Sequence, residues 1–158
     1  MAVNRGKQFE DVVREAFEKV PGVSIDRLHD QTTHYKGSTN ICDFIVYREP
    51  YEYYFECKSV HGNTLPFSNI TDTQWKGLLE KSKIEGVFAG VICWWVDKDV
   101  TLFLPIQILN QLRRTDNKSV RYDINEYIGN VVEIKGKKKR VFFEYDMESF
   151  LNEIQYNG

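Results

Sequence analysis

Asp43, Glu56 and Lys58 are two acids and an amine whose spacing can bring them onto one surface. Apolar, β-prone runs carry them. Ile41-Cys42-Asp43-Phe44-Ile45-Val46-Tyr47 comes first and Tyr53-Tyr54-Phe55-Glu56-Cys57-Lys58-Ser59-Val60 second, with Arg48-Glu49-Pro50-Tyr51-Glu52 supplying the turn signal between them. The pattern predicts a β-hairpin. If it is centred between Glu49 and Pro50, paired positions sum to 99 and Asp43 stands opposite Glu56, with Cβ atoms roughly 4.5–5.5 Å apart. Side chains alternate along a strand, so Glu56 and Lys58 share a face and Asp43 joins them. Two carboxylates that close do not both stay ionised at neutral pH without a cation between them, which makes a divalent metal the candidate.

The competing reading is a solvated cross-strand charge cluster, worth only about 0.2–1 kcal/mol per opposite-charge pair. Its weakness is the setting. Phe44, Ile45, Val46, Tyr53, Tyr54 and Phe55 make both strands apolar on both faces beside the acids, and strands buried on two faces do not carry charges for solubility. A second Glu-x-Lys, Glu133-Ile134-Lys135, has only Asp123 and Glu126 in a polar segment ahead of it and reads as an exposed strand face.

The elements that must position the trio follow from periodicity. Phe9, Val12, Val13, Ala16, Phe17 and Val20 recur at helical spacing, predicting a helix from about Lys7 to Val20 that Pro21-Gly22 ends. Glu10 rides beside that stripe, either solvated or turned toward the acids. The polar stretch Asp30 to Asn40 reads as a loop bordering the site. After the hairpin, a Gly/Asn/Pro-marked loop, His61 to Phe67, leads to Thr71, the cap of a helix bearing Gln74, Trp75, Lys76, Leu78 and Leu79. Val87 to Trp95 and Val100 to Leu104 predict a second hairpin, Pro105 to Leu112 a short helix, and Val131 to Lys135 with Arg140 to Tyr145 two strands around a turn of Gly136-Lys137-Lys138-Lys139. Asp146 caps a last helix through Ile154. This order is α+β or mixed α/β, with no internal repeat.

Composition bounds the partners. A chain of 158 residues with no Gly/Ser/Pro-rich divider is expected to be a single domain, 1–158. No apolar signal region opens it and no apolar run reaches spanning length, so a soluble, cytoplasmic protein without membrane contact is expected. Cys42, Cys57 and Cys93 all sit in apolar strand patterns and are odd in number, as buried thiols in a reducing compartment would be. The formal charge of −2 is silent about nucleic acid, because acids committed to metal would mask a basic patch elsewhere. The lysines at 137 to 139 read as a soluble edge. His29, His34 and His61 lack partners at zinc or triad spacing.

Asp43 followed by Glu56-Cys57-Lys58 resembles the acid, acid-x-lysine core of the restriction-endonuclease-like nuclease superfamily. Further features are similar to the RecU Holliday-junction resolvases of bacteria and their phages. They are Arg5-Gly6 with Phe9-Glu10, Ser38-Thr39 before the acid strand, Phe55-Glu56-Cys57-Lys58, and Gly62-Asn63-Thr64-Leu65-Pro66-Phe67-Ser68-Asn69-Ile70 leading to Gln74. The resemblance spans roughly residues 5 to 104. It implies a central mixed β-sheet flanked by helices, and a homodimer that nicks a four-way DNA junction in symmetric pairs with Mg²⁺, for which Mn²⁺ would substitute. Three departures stand out. Only about ten polar residues, Asp30 to Thr39, fill the place of the family's long stalk, as in a phage-type enzyme with a trimmed stalk; Cys57 takes a position usually held by alanine or another small residue; and the C-terminal third, 105–158, does not align with the family.

Carried onto this chain, the resemblance gives metal-assisted phosphodiester hydrolysis. Asp43, Glu56 and the backbone carbonyl of Cys57 would hold one or two ions, with Glu10 completing the shell, and Lys58 would orient water or stabilise the transition state. Gln74 would position water or a phosphate. Arg5, Lys7, Arg27, His34, Lys36 and Lys76 are the candidate contacts to the DNA backbone. Another nuclease on the same core, acting on duplex DNA, and a catalytically idle DNA-binding protein are the alternatives.

Overall fold

The computed structural model of the chain describes residues 4–28 and 40–156. Helix α1 (Arg5–Glu18) starts a little before the apolar stripe because the Asn4 side chain accepts a hydrogen bond from the Lys7 backbone N–H at 3.0 Å, capping the first turn. Its buried residues are Phe9, Val13, Ala16 and Phe17, and Gly22 takes the positive φ of the turn that follows. Strands β1 (Ser24–Arg27), β2 (Phe44–Arg48) and β3 (Tyr51–Val60) come next. The hairpin register is the expected one: Phe44 pairs with Phe55 and Val46 with Tyr53. The turn is tighter than the sequence suggests, because Tyr51 and Glu52 already belong to β3. His34 and Lys36 lie outside the described residues, as does most of the polar loop that precedes β2.

Strand β4 (Thr64–Pro66) leads through a 3-10 turn to α2 (Asp72–Ser82), followed by β5 (Val87–Trp95), β6 (Val100–Pro105) and α3 (Ile106–Arg114). The chain continues through β7 (Ser119–Arg121), β8 (Val132–Glu133), β9 (Gly136–Lys138) and β10 (Phe143–Tyr145) to α4 (Met147–Tyr156). Six strands form one mixed sheet in the order β1-β2-β3-β5-β6-β8. All its neighbours are antiparallel except β3 and β5, which run parallel with α2 in the connection between them.

Alternation on the two central strands divides the core. Tyr53, Phe55, Cys57, Ile92 and Trp94 face a layer that includes α1 and α4; Tyr54, Val91, Cys93 and Trp95 face one that includes α2 and α3. Strands covered on both faces are apolar on both, which is why β5 reads as a continuous hydrophobic run and β3 does so over Tyr53, Tyr54 and Phe55. Two elements differ from the sequence reading. Strand β8 joins the edge of the main sheet, and Lys137 and Lys138 lie within β9, so the turn of the last hairpin is residues 139–142. The physical reason is the pairing of Gly136 with Tyr145, which starts the hairpin at the glycine itself. All three cysteines are buried and free, and no helix among the described residues is long and apolar enough to cross a membrane.

Candidate active site

Asp43 sits just before β2, where the chain has begun to leave the sheet. Its N–H still donates to the Phe55 carbonyl at 3.1 Å, and its own carbonyl accepts from Leu28 N–H at 2.8 Å, so the backbone is held from both sides. The carboxylate turns toward β3, where Oδ2 accepts the Cys57 N–H at 2.8 Å. Glu56 extends from β3 toward the α2 layer and is only 4% exposed, one of two polar or charged residues buried among those described. Its Oε2 accepts from Gln74 Nε2 at 3.0 Å and from Lys58 Nζ at 3.1 Å. Its Oε1 is buried with no hydrogen-bond partner.

Gln74 reaches Glu56 because α2 begins there. The Thr71 side chain accepts from Gln74 N–H at 3.1 Å while Gln74 Oε1 accepts from Thr71 N–H at 3.1 Å, a reciprocal cap that leaves the amide nitrogen of Gln74 pointing at Glu56. Gly77, one turn further on, permits the close approach: a Cβ there would overlap the side chain of Ile41, in the segment that carries Asp43. The role expected of Gln74 was to position water or phosphate; in the structure it holds the second acid.

The electrostatics follow from this crowding. Burial, then the negative charge of Asp43, push the Glu56 carboxyl up to about 8, and the Lys58 ammonium offsets only part of the effect. Burial and the same two acids raise the Cys57 thiol, so it stays protonated and inert. A carboxylate oxygen buried without a donor, beside a second carboxylate, could hold a hard cation, and both groups are of the oxygen type that Mg²⁺ takes. No group of three His, Cys, Asp or Glu side chains among the described residues is placed to hold a metal. Asp43 and Glu56 would therefore supply two side-chain ligands, with the rest of a shell from backbone, water or phosphate.

The other expected residues are placed as follows. Glu10, on α1, forms an ion pair with Arg27 at 3.5 Å and is near enough to Cys57 to raise its thiol. Arg27 also bonds Asp11 at 2.8 Å and lies over the Phe44 ring at 5.9 Å, so its guanidinium is engaged by this chain's own acids rather than presented to a polyanion. That network was not legible in the sequence, because β1 carries no periodic signal and Arg27 and Glu10 are 17 residues apart. Lys7 and Lys76 are exposed, while Arg5 is partly buried over Phe142. His61, without a partner in the sequence reading, meets Asp97 at 3.1 Å.

No protein-family model and no curated protein matches this chain. Among solved structures, it is similar to that of Hjc from Archaeoglobus fulgidus, a Holliday junction resolvase from an archaeal hyperthermophile. The TM-score is 0.51 at 19% sequence identity, over 73% of this chain and 88% of that one. The likeness is one of fold: a mixed α/β architecture with a central mixed sheet flanked by helices, as the sequence led us to expect.

Proposed function

We propose that this chain is a metal-dependent endonuclease that resolves four-way DNA junctions, acting as a homodimer that places one nick in each of two opposed strands. The observation that carries the reading is the pairing of Asp43 with a buried Glu56 whose Oε1 lacks any donor, with Lys58 beside it. The likeness of the fold to Hjc supports it, and so do the motifs shared with the RecU resolvases.

Asp43 and Glu56, with the Cys57 carbonyl, would hold Mg²⁺, and Mn²⁺ would substitute. When bound, such an ion makes water more acidic and neutralises charge that builds on the phosphate in the transition state. The protein's own groups do the rest. Gln74 and Lys58 fix the rotamer of Glu56 through its Oε2, which leaves Oε1 free to serve as a ligand atom. The Cys57 N–H fixes Asp43 in the same way. Lys58, with 22% of its side chain exposed, brings a positive charge to the mouth of the site and is suited to hold an attacking water or a non-bridging phosphate oxygen. Lys7 and Lys76, exposed on opposite sides of the sheet, are suited to phosphate contacts that give affinity without reading sequence.

The test is cleavage of a labelled four-way junction beside a linear duplex of the same sequences, with and without Mg²⁺. Paired symmetric nicks in the junction alone, lost on chelation, are expected. Equal cutting of both substrates would leave a nuclease without junction selectivity; absence of cutting under every condition would sink the reading.

A further inference from the structure

We infer that the β9–β10 hairpin is a second DNA-backbone contact, a basic ridge formed by Lys137 and Arg140 together with Arg5 and Lys7 on the α1 side of the site; this rests on the nuclease reading above. The hairpin's position is fixed by a chain of ring contacts. Phe142 packs on Trp94 with centroids 5.3 Å apart, Phe9 of α1 packs on the same Trp94 at 5.6 Å, and the Arg5 guanidinium lies over the Phe142 ring at 5.5 Å. Trp94 pairs with Ser59, the residue after Lys58. The hairpin turn and the start of α1 therefore stand together at the end of the sheet where the two acids meet.

The charges of the hairpin are not used alike. Lys138 bonds Asp99 at 2.8 Å and covers the Phe143 ring at 4.8 Å, clipping the hairpin to the turn after β5. Lys139 and Lys19 both pair with Glu144, at 3.3 and 3.5 Å. The side chains of Lys137 and Arg140 are exposed and take part in no ion pair or hydrogen bond among the described residues, and Lys7 is exposed near the start of α1. With Asp99 and Glu144 already neutralised, the remaining charge of the ridge is positive. A solubility device at a sheet edge needs no bracing, whereas this hairpin is fastened by aromatic packing while Lys137 of β9 and Arg140 of the turn stay exposed. Unpaired cations on a braced hairpin suit a polyphosphate backbone, since no ion pair must be broken and no loop backbone must be ordered for them to bind.

The test measures affinity for a fluorescent four-way junction by anisotropy between about 50 and about 200 mM NaCl, in an Asp43→Asn background so that the DNA stays intact. The double variant Lys137→Ala/Arg140→Ala is expected to bind several-fold more weakly at low salt and to lower the slope of log K against log salt by nearly two. Its thermal midpoint should match the parent's, because neither side chain has a partner to lose. Lys137→Arg/Arg140→Lys should keep the parent slope. Lys83→Ala, at the far end of α2 and about 14 Å along the helix axis from Gln74, is the control and should change nothing. Parent-like affinity and slope in the double variant would overturn the ridge while leaving the nuclease reading intact, as would an equal loss in Lys83→Ala. A parent that binds no DNA overturns both.

Discussion

Glu56 is the residue on which the site turns, and its cost to the fold is measurable. Its carboxyl is raised from the ordinary range to about 8 by burial and by Asp43. The folded protein therefore binds a proton that the unfolded chain has already released between about pH 4.5 and 8. The sign is that stability falls as pH rises across this window, with the full penalty present above pH 8. In metal-free protein, Glu56→Gln should remove that slope and raise the thermal midpoint at pH 8.5 by about 5 °C or more, because a neutral amide replaces a buried anion beside a second acid. A Glu56→Gln protein that melts lower than wild type at that pH would show that the carboxylate is comfortably solvated. Melting curves in chelator at pH 5 and 8.5 decide it. At this scale the sequence was informative: the alternation of β3 and the register with β2 were enough to set Asp43, Glu56 and Lys58 together. The partners of Glu10 and the contact of Gln74 with Glu56 were hidden, since both depend on how α1 and α2 lie against the sheet.

At the level of elements, α2 is held against the acid-bearing segment by an absence of side chain. Alanine is the better helix former by about 1 kcal/mol, yet a Cβ at Gly77 would overlap Ile41, including its own Cβ at 2.6 Å. Gly77→Ala should therefore destabilise the protein by about 1–3 kcal/mol, as overpacking does, and slow cleavage by shifting Gln74 away from Glu56. Removing the obstacle, Cβ included, in Gly77→Ala/Ile41→Gly should recover activity relative to the single variant. If Gly77→Ala alone melts higher and cuts normally, the close approach of α2 has no functional part. The glycine was visible in the sequence, but not its reason, because Ile41 precedes it by 36 residues and nothing local couples them. The same limit hid β1, β4 and β7: Leu65 pairs with Val120 through contacts that only the assembled sheet creates. The two long hairpins and all four helices were legible, since their period or turn chemistry is local.

Across the whole molecule, a chain of net charge −2 is read here as a DNA enzyme. The contradiction dissolves when charge is followed by place. Glu10, Asp11, Asp97, Asp99 and Glu144 each pair with a neighbouring Arg, His or Lys, and Asp43 and Glu56 sit side by side as candidate ligands. Lys7, Lys76, Lys137 and Arg140 are among the exposed cations without ion pairs among the described residues. The mixed sheet serves this arrangement by carrying Glu56 and Lys58 on its buried central strand, where α2 from one side and α1 from the other can reach the same end. The account stands on Asp43 acting in the chemistry rather than in folding or DNA binding. The measurement that tests it is single-turnover cleavage of a four-way junction in Mg²⁺ by wild type and Asp43→Asn, with DNA affinity and melting temperature taken on the same preparations. A rate lowered at least a hundredfold in a variant that still folds and still binds the junction is the predicted result; wild-type cleavage by Asp43→Asn would contradict it.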